Sequence, residues 1–145
     1  MKRIFAICIL SVLAVFSACD AGLPVKDSQD YSQAVRSFYV GLAAMQASDD
    51  LRAKKELENA VTLAKGEPAE WANLGILQMR QKDFQTAKTS LNKAKELAPK
   101  NGQIYANLAV LELQNGDFEQ VKQNLQKAIE SNPEDLKAAF ALAAQ

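Results

Sequence analysis

From Tyr31 onward, apolar residues recur at the three- and four-residue spacing of amphipathic helices, and one series of them occurs twice. Trp71, Leu74, Gly75, Ala87, Leu91, Ala94 and Pro99 reappear 34 residues later as Tyr105, Leu108, Ala109, Val121, Leu125, Ala128 and Pro133. Each series divides internally. Lys82-Asp83 and Gly116-Asp117 interrupt the pattern midway, Phe84 and Phe118 follow at matching positions, and Pro99 and Pro133 lack the N–H that a continuing helix needs. The unit is therefore a pair of helices, with small alanines where the helices approach. A pair of this size cannot bury its apolar face alone and must stack on a neighbour, so the pattern predicts an all-α stack of antiparallel helix pairs.

The 34-residue period, with its aromatic, Leu-Gly, Ala, Leu, Ala and Pro positions, resembles the tetratricopeptide repeat. In that register, repeats run over 68–101 and 102–135. A looser one covers 34–67, where Gly41, Ala53, Leu57 and Ala60 match, while Ser37 and Lys65 replace the aromatic and the proline. Asp135, Leu136, Ala139, Phe140, Leu142 and Ala143 restart the pattern, giving a partial repeat at 136–145. The resemblance implies a short right-handed α-solenoid of about three repeats plus a final single helix, within a domain spanning 31–145.

The N-terminus is a separate unit. Lys2 and Arg3 precede an uncharged apolar run from Ile4 to Phe16, followed by Ser17, Ala18 and Cys19, which reads as a signal peptide over 1–18. The apolar run would span roughly 20 Å as a helix, short of a ~30 Å hydrocarbon core. Phe16-Ser17-Ala18-Cys19 resembles the bacterial lipobox, which implies cleavage before Cys19 and its lipidation with diacylglycerol and palmitate-like chains. Residues 19–30, with Gly22, Pro24 and several polar side chains, read as a flexible tether. Asp20 resembles the retention signal that keeps enteric lipoproteins in the inner membrane. The expected location is thus an exported, lipid-anchored site facing the periplasm.

Charge and chemistry narrow the function. Lys and Arg total 17 and Asp and Glu total 17, with no electrostatic footprint for nucleic acid. The chain has no histidine; Cys8 falls in the signal run and Cys19 goes to lipid, so a general base, a thiol nucleophile and common metal ligands are all missing. No phosphate-binding glycine motif occurs. Glu56 with Glu58, and Glu67 with Glu70, read as charged helix surface, and Asp49-Asp50 as helix caps. No enzyme activity, cofactor or metal is expected.

Surface remains. In the solenoids this chain resembles, the first helix of each repeat lines a groove, which here gives Phe38, Leu42, Met45, Asn73, Ile76, Met79, Arg80, Asn107, Val110 and Leu113 as candidate peptide-binding residues. The mixture is mainly apolar, with two deformable methionines and two amides one period apart, and suits an amphipathic helix or extended apolar peptide. The carboxylate clamp of chaperone-binding relatives is not expected, because Arg80 is the one cation in that set. The expected function is a membrane-anchored adaptor for an unknown protein in the bacterial cell envelope. An alternative is the N-terminal part of a larger exported protein. The unpaired last helix, through Phe140 and Leu142, offers a surface for homo-oligomerisation.

Overall fold

A computed structural model describes residues 28–132, which form six helices and, among the described residues, no strand: α1 (Gln29–Gln46), α2 (Asp50–Leu63), α3 (Pro68–Arg80), α4 (Phe84–Leu97), α5 (Gly102–Asn115) and α6 (Phe118–Ser131). The fold is the expected all-α helical repeat. The signal segment, Cys19, Asp20, Pro133 and the partial repeat at 136–145 with Phe140 and Leu142 lie outside the described residues. α1 begins two residues inside the stretch read as tether, because the Ser28 hydroxyl accepts the Tyr31 N–H at 3.1 Å and caps the helix.

The turn inside each pair is built the same way three times. Ser48, Lys82 and Gly116 adopt left-handed backbone, with φ of 58°, 62° and 75°. The next N–H then reaches back to the preceding helix: Asp49 to the Ala44 carbonyl, Asp83 to Gln78 and Asp117 to Glu112, at 2.9, 2.9 and 3.0 Å. This closes the first helix by satisfying a carbonyl that has no intrahelical partner. The same three aspartates open the second helix, their carboxylates accepting the N–H groups of Arg52, Thr86 and Gln120. Hydrogen bonds from Thr86 hold the Asp83 carboxyl below its ordinary pKa.

Between pairs the chain again repeats itself. Glu67 N–H bonds to the Ala64 carbonyl and Asn101 N–H to Ala98, each at 3.1 Å. Trp71 Nε1 donates to the Lys65 carbonyl at 2.9 Å, and Tyr105 Oη donates to the Pro99 carbonyl at 3.0 Å. The bond survives the change from Pro99 to Lys65 because the acceptor is backbone.

Two apolar clusters each cross a repeat boundary. Ala44, Ala53, Leu57, Val61, Leu74 and Leu77 form one; Ala72, Ala87, Leu91, Ala94, Ile104, Tyr105, Leu108 and Leu111 form the other, and Trp71 packs against both. Leu57, Leu77, Leu91 and Leu111 are fully buried, each contributing about 1.5–3 kcal/mol of transfer free energy. Among the sequence-defined packing positions, Gly75 and Ala109 are also buried, Leu125 and Ala128 are half-buried, and Pro99 is exposed. α1 touches α3 and α3 touches α5, whereas the even-numbered helices approach one another less closely. The odd helices therefore lie on the shorter, inner arc of the curve.

Candidate binding groove

Three aliphatic side chains, Leu42, Ile76 and Val110, sit one period apart on α1, α3 and α5. All three are half-exposed and none belongs to either core cluster. Leu113 is half-exposed one turn beyond Val110. These residues form a shallow apolar row along the inner arc. Asn73 and Asn107 lie beside it, each amide tied to its own helix: Asn73 Nδ2 donates to the Ala69 carbonyl at 2.8 Å, and Asn107 Oδ1 accepts from Gln103 Nε2 at 3.3 Å. Both side chains are thereby oriented before any ligand arrives.

The other groove positions have structural work. Phe38 and Met45 pack against the first cluster and Met79 against the second. Arg80 is engaged, its Nη1 donating to the Met45 carbonyl at 2.8 Å and its Nη2 pairing with Asp50. It fastens the end of α3 to the turn between α1 and α2 rather than standing free in the groove.

At the seam between α1 and the start of α3, the groove opens into a pocket of about 230 Å³. Tyr31, Val35, Phe38 and Tyr39 of α1 form one wall, and Glu67 and Glu70 stand at the other side. The Phe38 and Tyr39 rings meet edge to face at 5.5 Å between centroids, and Tyr39 is 65% exposed. Glu70 departs from its expected place on charged surface: it is 5% exposed, and its Oε2 has no hydrogen-bond partner. Burial pushes its pKa from 4.5 up to about 8, and the neighbouring Glu67 adds to the rise. The clue in the sequence was register, because Ile104, one period later, occupies a buried position.

A second buried carboxylate is satisfied. Glu112 of α5 pairs with Lys88 of α4 at 2.8 Å and accepts from Asn115 Nδ2 at 3.4 Å, fastening the second repeat to the third.

The comparisons agree with this geometry. Residues 78–145 match the family model for the tetratricopeptide repeat. Comparison with curated proteins finds no match. Among solved structures, the Arabidopsis OM64 TPR domain is similar at a TM-score of 0.75 and 16% identity, covering 79% of this chain and 94% of that one. The TPR2B domain of yeast Sti1, in complex with pHsp70, gives a TM-score of 0.73 at 18% identity, covering 77% and 93%. The second TPR domain of human RPAP3, in complex with the HSP70 peptide SGPTIEEVD, gives 0.72 at 15% identity, covering 79% and 96%. Over 78–145 the chain is thus similar to the tetratricopeptide repeat, and its helical fold is shared with these tetratricopeptide-repeat domains.

Proposed function

We propose that this chain is a membrane-anchored adaptor that holds a partner protein or peptide along the inner arc formed by α1, α3 and α5. The observation that carries this reading is the row Leu42, Ile76 and Val110, half-exposed at a fixed period and outside the packing that holds the helices together. Folds of this kind generally serve as non-catalytic interaction scaffolds, and two of the similar structures hold peptides of Hsp70. The peptide bound to human RPAP3 is acidic, whereas the groove here has its arginine engaged and two carboxylates at one end. Its partner is therefore of a different charge class.

The anchoring half of the proposal rests on Phe16-Ser17-Ala18-Cys19 and its likeness to a lipobox. Two or more acyl chains on Cys19 would hold the protein on a bacterial membrane, facing the periplasm, with Asp20 favouring the inner membrane.

Capture from bacterial envelope extract tests the adaptor reading, with the parent chain run beside Ile76→Asp and Val110→Asp. A partner retained by the parent and lost by both folded variants supports the groove; equal retention by all three rejects it. Cys19→Ser tests anchoring separately, since release into the soluble fraction is expected and persistence in membranes would reject lipidation at that residue.

A further inference from the structure

We infer that the pocket at the α1–α3 seam receives a cationic side chain, lysine or arginine, from the partner lying in the groove. This inference rests on the groove reading and adds the charge of the residue that is recognised.

Three independent features converge. Glu70 Oε2 is buried without a hydrogen-bond donor, an arrangement that is costly unless a donor arrives from elsewhere. Glu67 places a second carboxylate at the same mouth. Tyr31, Phe38 and Tyr39 supply aromatic surface on the opposite wall, where a guanidinium or ammonium is attracted to ring faces. A volume of about 230 Å³ is small beside the ~300–1,000 Å³ of drug-sized ligand sites and accommodates the end of one long side chain.

Packing does not explain the carboxylate. Glu70 occupies the position filled by Ile104 in the next repeat, where the aliphatic chain is buried against its neighbours. An apolar residue serves the fold at this position, and the acid leaves an unmet hydrogen bond there instead.

Charge sets the sign of a pH dependence. The groups facing Glu70 are the Tyr31 and Tyr39 phenols from α1 and the Glu67 carboxylate from the turn before α3; α2 contributes Ala64 at its end. With its pKa near 8, Glu70 is protonated in the empty pocket at neutral pH. A bound cation favours the carboxylate, so binding below pH 8 must expel a proton and affinity rises with pH. Between pH 7 and 9 the expected gain is about tenfold, most of it below the free pKa.

The test uses the full chain and two probes, the peptide acetyl-Ala-Ala-Arg-Ala-Ala-amide and its citrulline counterpart, an uncharged isostere, followed by NMR of the pocket aromatic rings. The inference expects the arginine peptide to shift Tyr31, Phe38 and Tyr39 resonances, the citrulline peptide to bind at least ~10-fold more weakly, and Glu70→Gln to abolish the pH dependence. Tyr39→Ala, at an exposed position that leaves folding intact, should weaken the arginine peptide alone. Equal binding of both peptides, no binding of the arginine peptide, or an unchanged pH profile in Glu70→Gln would each overturn it. Equal binding that is still lost in Ile76→Asp would leave the groove reading standing while removing this one.

Discussion

Gly75 lies so close to Leu91 that a methyl group at its Cα would sit 2.7 Å from Leu91 Cγ and 2.9 Å from Cδ2. Leu91 is fully buried and has no room to retreat. Gly75→Ala should therefore destabilise the domain by about 1–3 kcal/mol, even though alanine is the better helix former. Urea unfolding measures this directly. Gly41 stands in the same relation to Leu57, at 2.8 Å from its Cγ, and the same loss is expected there.

The turns give substitutions of opposite sign. Lys82 holds φ at 62°, a conformation that costs a side chain roughly 1–2 kcal/mol, so Lys82→Gly should stabilise by about 0.5–1 kcal/mol after the greater chain entropy of glycine is offset. Gly116 at φ 75° has open space around it, so Gly116→Ala should destabilise by about 1 kcal/mol through backbone strain alone. Thermal unfolding of the two variants should move in opposite directions.

How far these features can be read from the chain depends on whether they repeat. The helix pairs, their breaks at Lys82-Asp83 and Gly116-Asp117, and the stacking at Leu74, Leu91 and Leu108 follow from a period that any two copies reveal. Side chains that differ between copies were not legible, because the register gives a position and says nothing of its partner. Arg80 appeared as a groove cation and is held by Met45 and Asp50. Glu70 appeared as surface because it stands in a charged stretch beside Glu67, although the position it shares with Ile104 is buried. At another repeated position, Ser37 accepts a 2.7 Å hydrogen bond from Asn59, whereas Tyr105, two periods later, lies under Lys127 Nζ at 5.5 Å.

The Lys88–Glu112 pair should respond unequally to removal of its two ends. Lys88→Met leaves a carboxylate that is 4% exposed without its cation and should cost about 1.5–3 kcal/mol. Glu112→Gln leaves a half-exposed ammonium that water can solvate, and should cost less. Unfolding of both variants at one pH decides the order.

Glu70 makes stability fall as pH rises. Its folded pKa is raised to about 8 from 4.5, so its protonated form stabilises the fold fully below pH 4.5, and that contribution declines as pH climbs through 8. Glu70→Gln removes the ionisation, so the variant should gain on the parent steadily between pH 5 and 8. Urea midpoints of the two proteins at pH 5, 6.5 and 8 test this, and a constant difference would show that Glu70 is not buried as described.

The central claim is that the inner arc is the binding face, and photo-crosslinking from single positions tests it most directly. A photoreactive phenylalanine at Val110, in the aliphatic row on α5, is compared with one at Thr89, exposed on α4. The groove account predicts covalent capture of the same envelope protein from position 110 and none from position 89. Capture from position 89 alone, or equally from both, would contradict it.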